Sequence, residues 1–210
     1  MKIGVVVVSF WVLFQMFAKL GVCQDTKSYR FGLLSGPEKR WVIRHPFVSI
    51  KAKNITDTAT HEARRLSSMG LLDTYENGGK QDAFRHAYWM ALLSSVIGPK
   101  KALLLGRAHE KGNKKEYDNL KLEEGEIPDF ISMEMDLWNN DIGVDIGSRH
   151  KKKEFVFIKE MVLELINSGA CRILKRNKDG LFMTCSGKLL RDKEWRGLWF
   201  NERCLMESNR

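Results

Sequence analysis

The chain has 210 residues, of which 43% are hydrophobic, 29% charged and 10% aromatic, a balance that fits one globular domain with a core and excludes a disordered tail, a coiled coil or a collagen-like fibre. Thirty-five basic against 26 acidic residues leave a formal charge of +9. Both signs are mixed along the chain, so the excess permits an anionic partner without requiring one.

Met1 and Lys2 precede an apolar run from Ile3 to Phe17, broken only by Ser9 and Gln15 and followed by Lys19. The run is too short to span a bilayer and has the charged start and apolar middle of a secretory signal peptide. Gly21-Val22-Cys23 places small residues around a cleavage before Gln24. The sequence therefore predicts a leader over residues 1–23 and an exported mature chain, periplasmic or secreted, over residues 24–210. Loss of Lys2 and Lys19 lowers the charge from +9 to +7. Acylation of Cys23 as a lipoprotein is disfavoured by Val22, which is bulky where a small residue is wanted. No later run is apolar enough to cross a membrane. Cys171, Cys185 and Cys204 remain in an oxidising compartment, which predicts one disulfide and one spare thiol. Cys185 with Cys204 is the favoured pairing, and Cys171 with Cys185 its rival.

Ser35 followed by Glu38 is a capping box, opening a short helix through Trp41 and Ile43 that His45-Pro46 should break. A second helix is expected from about Asp57 to Ser68, then a loop from Leu72 to Lys80 around Asn77-Gly78-Gly79. Gln81 to Ile97 is the most apolar helix of the mature chain. Gly98-Pro99 ends it, and Lys100 to Glu110 follows as its antiparallel neighbour. Gly112 to Pro128 reads as a long charged connection, a length typical of lids and binding segments. Asp129 to Ile146 and Lys151 to Asn167 read as helices. Ile173 to Cys185 reads as a hairpin turning at Asn177-Lys178-Asp179-Gly180. The expected fold is mostly α: a single helical domain with a small C-terminal β-hairpin.

The central helix carries Asp82, Arg85 and His86 among apolar residues on nearly all sides, and burying such groups is costly unless they are paired. Asp82 and His86 are one turn apart and share a face. Simple capping and pairing of Asp82 is the bland explanation of this set. On the helix from Asp129, Asp136 and Asn140 share a face, beside Asn139 and Gly143. Adjacent buried asparagines need hydrogen-bond partners. His109 and Glu110 end the helix between. If the three helices meet, Asp82, Arg85, His86, His109, Glu110, Asp136, Asn139 and Asn140 form the candidate catalytic set. Asp82, His86, His109 and Asp136 would be ligands for a divalent metal such as zinc, or the histidines a metal-free acid–base pair. Arg85 suits a phosphate or carboxylate, and the amides a developing charge. No HExxH helix, phosphate-binding glycine loop or nucleophile elbow is present. Lys151 to Lys153 read as a solvated helix start. Asn54-Ile55-Thr56 matches a glycosylation acceptor, and Trp195, Trp199 and Phe200 read as packing residues.

The strings GGKQDAFRHAYWMALL, GRAHEKGN, KLEEGEIPD and SMEMDLWNNDIG, in that order, resemble an uncharacterised bacterial domain family of secreted proteins, notably of Bacteroidota, with likeness to terminal domains of wall-associated or Rhs-type polymorphic toxins. The resemblance runs from Phe31 to Cys204. It implies a helical domain with a polar cleft, and its motif positions fall on Asp82, Arg85, His86, Trp89, His109, Glu110, Asp136, Asn139, Asn140 and Gly143. It implies no reaction or substrate. Three functions fit the residues: a metal- or histidine-dependent hydrolase of a phosphate-bearing or cell-envelope substrate, a non-catalytic envelope-binding module with a structural polar network, and a toxin-like effector acting on nucleic acid.

Overall fold

The computed structural model describes residues 31–119 and 127–210. The expected leader, Cys23 and part of the charged connection lie outside the described residues. The chain divides into two compact units, Met1–Leu33 and Leu34–Arg210. Of the first, the described part is a 3₁₀ turn at Phe31–Leu33; everything below concerns the second.

Helix α1 spans Gly36–Arg44 and opens with the predicted capping box, the Glu38 amide donating to Ser35 Oγ and the Ser35 amide to Glu38 Oε2 at 2.8 Å. Helix α2 then begins at once, Pro46–Ser68, rather than near Asp57. Proline stops a helix only from its interior; at the first position it removes an amide that has no helical partner anyway. Ser49, Ala52, Ile55, Ala59, Ala63 and Leu66 are buried at helical spacing along the whole of it.

Helix α3 spans Lys80–Ile97 and α4 spans Pro99–Asp118, joined at Gly98, whose φ of 90° suits glycine. The sequence ends α4 near Glu110, but it continues two further turns through Gly112. A Cβ at Gly112 would stand 2.5 Å from Ser35 Oγ, so this glycine serves the packing of α4 on the start of α1. The charged connection is correspondingly shorter than predicted. Helix α5 spans Phe130–Arg149, capped by Asp129, which accepts from the Ser132 amide at 2.9 Å. Helix α6 spans Phe155–Ser168 and closes on left-handed Gly169; Lys151–Lys153 precede it, exposed, rather than opening it.

As its composition predicts, α3 is central, with Phe84, Met90, Leu92 and Leu93 fully buried against α2, α5 and α6. Its closest neighbour is α5, which runs parallel to it. Added Cβ atoms at Gly143 and Gly147 would lie 2.1 Å from the carbonyl oxygens of Ala87 and Ala91 respectively. Only small residues on both helices allow this approach, and Ser94 Oγ reinforces it by donating to the Val144 carbonyl at 2.9 Å. Side chains near this seam are thereby brought within a few ångströms of each other.

The C-terminal region corrects the expected hairpin. The turn at Asn177–Gly180 forms, with Asn177 Oδ1 accepting from the Leu181 amide at 2.8 Å, and it supports an antiparallel bridge of Arg176 with Phe182. The two-stranded sheet, however, pairs β1 (Arg172–Leu174) with β2 (Leu205–Glu207), antiparallel, Ile173 opposite Met206. Local turn chemistry is readable from four residues, whereas the partner of β1 comes from the far end of the chain. Cys185 is bonded to Cys204, the favoured pairing. Cys171 keeps a buried thiol whose pKa burial pushes up to about 12. A second small core joins Met135, Leu174, Phe182, Leu190 and Trp195, with Arg203 stacked over Phe182 and Trp195 and ion-paired to Asp129. Among the described residues no helix is long and apolar enough to cross a membrane.

Candidate metal centre

The loop before α3 prepares the site. Asp73 accepts hydrogen bonds from the amides of Lys80, at 2.7 Å, and Gln81, at 3.1 Å, and so caps α3 from outside the helix. A Cβ at Gly79 would stand 2.6 Å from Asp73 Oδ1, which is why a glycine sits at the cap. Asp82, in the first turn, is freed from that duty. Its Oδ2 accepts from the Gly78 amide at 2.7 Å and its Oδ1 from Arg85 Nη2 at 2.6 Å. The bland explanation of Asp82 therefore holds in part: it ties the loop and pairs with Arg85.

One turn along, His86 is 2% exposed and meets α5. Its Nδ1 lies 3.2 Å from Asn140 Oδ1; in the tautomer that donates from Nδ1 to this amide oxygen, Nε2 holds the lone pair. Burial, then the positive charges of Arg85 and His109, hold the imidazole well below its usual pKa despite the Asn140 bond. His86 is neutral at pH 7. Its Nε2 lies 3.5 Å from Asp82 Oδ1 and 3.5 Å from Asp136 Oδ1, and one ligand atom from each of the three residues falls within 4.8 Å of the others. A separation of 3.5 Å is too long for a good hydrogen bond. It matches the roughly 3.4 Å edge of a tetrahedron whose ligands stand about 2.1 Å from a central ion. Two carboxylates and a neutral imidazole nitrogen are also the right donors for a borderline divalent cation. The residues fit such an ion.

His109 does not join this triad. It lies on α4, with Nδ1 3.1 Å from Glu38 Oε1 and its ring 6.2 Å from that of His86 and edge-on to Trp89. Burial raises the Glu38 pKa, but the bonds from His109 and Ser35 outweigh it and the carboxyl stays below its usual range. Glu38 is the residue that sequence reasoning missed. Its capping-box spacing is visible, but its second role depends on α4 packing over α1. Glu110 is not one of the three clustered residues: it is buried, takes a bond from Asn113 Nδ2 at 3.2 Å, and lines a groove of about 390 Å³ with Arg107, Lys111, Phe130 and Trp199. Asn139 also departs. Its amide brackets the backbone of Arg172, accepting from N at 2.9 Å and donating to O at 3.0 Å, and so pins β1 to α5. Adjacent asparagines point about 100° apart on a helix; one serves the site and the other the sheet. Asn140 Nδ2 is buried without a hydrogen-bond partner among the described residues, beside Gly106, where a Cβ would come within 3.5 Å of it.

Trp89 Nε1 donates to Thr56 Oγ1 at 2.9 Å, and Thr56 donates to the Ala52 carbonyl, so the hydroxyl of Asn54-Ile55-Thr56 is engaged within α2. Trp195 packs in the second core, but Phe200 is exposed beside Trp199 and Phe130.

Fold and site together define a helical domain built around a buried histidine–dicarboxylate cluster. The chain belongs to the family described as Domain of unknown function (DUF6973), whose model matches residues 39–170. That span takes in all three triad residues, Arg85, His109 and Asn140, and stops before β1, short of the Cys204 limit of the sequence resemblance. No curated protein and no solved structure matches the chain.

Proposed function

We propose that the protein is an exported hydrolase that works with a divalent cation, zinc being the best fit, on a phosphate-bearing or cell-envelope substrate. The carrying observation is that Nε2 of neutral His86 lies 3.5 Å from both Asp82 Oδ1 and Asp136 Oδ1, the edge length of a tetrahedral site, with the three groups gathered within 4.8 Å of one another. Three protein ligands leave one position for water or substrate, the pattern of catalytic rather than structural zinc. Such an ion supplies Lewis acidity and a nucleophile at neutral pH. Asn140 fixes the His86 tautomer, an outer-sphere role that orients the ligand nitrogen. Arg85, whose side chain is 20% exposed, sets a fixed positive charge at the solvent side of the triad, where an anionic group would be held. His109, oriented through Nδ1 by Glu38, would serve as the proton acceptor or donor, the arrangement of a base held by a carboxylate.

Elemental analysis of protein purified without a histidine tag, beside His86→Ala and Asp136→Asn, tests this. Near-stoichiometric metal in the wild type, lost in both variants, is the expected result. The near-complete burial of Asp82, His86 and Asp136 favours one other reading, a structural polar network joining α3 to α5. Wild-type protein free of metal, together with a large drop in melting temperature for His86→Ala, would select it.

A further inference from the structure

The corner between α1 and α2 carries apolar side chains left exposed among the described residues. Phe47 is 92% exposed, Ile50 69% and Ile43 67%, on either side of Pro46, where α1 gives way to α2. Arg40, Arg44 and Lys51 are exposed among them. The turn between α3 and α4 meets the same corner: Trp41 Nε1 donates to the Lys101 carbonyl at 3.2 Å, and His45 shares a cavity with Pro99, Lys100, Lys101 and Leu104. Lys100 and Lys101 are exposed there, as is Leu104. No carboxylate occurs in the sequence between Glu38 and Asp57 or between Asp82 and Glu110. This end of the unit is therefore cationic and apolar at once, in a chain whose charges are elsewhere mixed.

We infer that this end docks on an anionic lipid surface, with Ile43, Phe47 and Ile50 inserted at the level of the acyl chains and Arg40, Arg44, Lys51, Lys100 and Lys101 against the lipid phosphates. Exposed apolar side chains interspersed with cations suit a deformable interface that accepts hydrocarbon and offers negative charge together. A second copy of the same face would set its cations against like charge. A nucleic acid would use the cations but leave a phenylalanine and two isoleucines in water. Binding here places the protein on the membrane without spanning it, and it is independent of the metal centre.

The test uses the full chain with isoleucine methyl groups labelled for NMR and lipid nanodiscs containing a spin-labelled lipid, made either of phosphatidylcholine alone or of phosphatidylcholine and phosphatidylglycerol in equal parts. With the anionic discs the methyl resonances of Ile43 and Ile50 should broaden, while those of buried Ile158 and Ile166 stay sharp. The variant Arg40→Glu/Arg44→Glu/Lys51→Glu should lose about a hundredfold or more in affinity for those discs. Unchanged Ile43 and Ile50 signals overturn the proposal whether or not another part of the chain holds the protein on the disc. Disc affinity that survives Ile43→Ser/Phe47→Ser/Ile50→Ser, with tight salt-dependent binding of single-stranded DNA by the same cations, also overturns it and makes the face a nucleic-acid site.

Discussion

His86 is the residue on which the proposed chemistry turns. Its folded pKa lies well below the usual imidazole value near 6.5. The unfolded chain therefore binds a proton on falling below about pH 6.5 while the folded chain does not, and the difference favours unfolding. The stabilisation is fully present above that pH and is lost as pH falls toward the depressed folded pKa. Chelator-treated protein should lose up to about 1.4 kcal/mol per pH unit from this group over that window. Chemical denaturation across pH, comparing wild type with His86→Gln, measures it; equal slopes in the two proteins would remove His86 as the cause. Asn140→Ala leaves the buried Nδ1–H of His86 without its acceptor, at a cost of about 1–3 kcal/mol. If the metal reading is correct, the same variant also weakens the metal site by freeing the ring, on the order of tenfold or more. A competition titration against a chromophoric chelator reads that change separately from stability.

At the scale of elements, the triad exists because α3 and α5 are unusually close. Asp82 and His86 come from one helix and Asp136 and Asn140 from the other. They are held together not by a loop but by Gly143 and Gly147 against the Ala87 and Ala91 carbonyls. A methyl at Gly143 would stand 2.1 Å from a backbone oxygen, which cannot rotate away as a side chain can. Gly143→Ala should therefore part the helices and cost about 1–3 kcal/mol or more, despite the gain in helix propensity of about 1 kcal/mol. Its thermal unfolding should shift downward, and the metal content expected under the proposed function should fall even though none of the three clustered residues is touched. A Gly143→Ala protein as stable as wild type with full metal would show that the seam is not what sets the ligand spacing. The β1 strand is tied to the same helix by Asn139, so the sheet braces the outer side of α5 while α3 grips the inner side.

For the whole molecule, the last forty residues form an appendage beyond the matched family span, closed by Cys185–Cys204, which are 19 residues apart. A bridge across a loop of that length stabilises by about 3 kcal/mol through the unfolded chain. Mild reduction should raise amide hydrogen exchange first in residues 172–207, while α3 stays protected, and it should lower the melting temperature of the unit. Simultaneous exposure of α3 and the appendage would mean that the two unfold as one. Cys171, buried with its pKa near 12, should resist alkylation in native protein and react on denaturation, which offers a chemical reading of the same transition.

Helical content, the central place of α3, the capping of α1, the turn at Asn177–Gly180 and the presence of one disulfide with one spare thiol were legible in the sequence, because each rests on composition, on spacing within a few residues or on the count of cysteines; the pairing of Cys185 with Cys204 was favoured but not fixed. Asp82, His86 and Asp136 stand out too, as polar groups on apolar helices, but only within a longer set in which His109 counted equally as a ligand. What the chain alone left open was geometry. His109 and Glu110 adjoin in sequence, yet one faces the cluster's edge and the other a groove. Asn139 and Asn140 likewise divide between sheet and site, and nothing in a one-residue step says which face is which until the neighbouring helix is placed. Pro46 and Gly112 read as breaks but serve as a helix start and a packing contact, since both residues have two roles that only their surroundings separate. The partner of β1, the pairing of Glu38 with His109 and the 3.5 Å approach of His86 Nε2 to Asp136 Oδ1 all depend on residues distant in sequence meeting across packed helices. Local sequence sets which conformations each segment favours. Long-range burial and close approach of backbones select which of those conformations coexist.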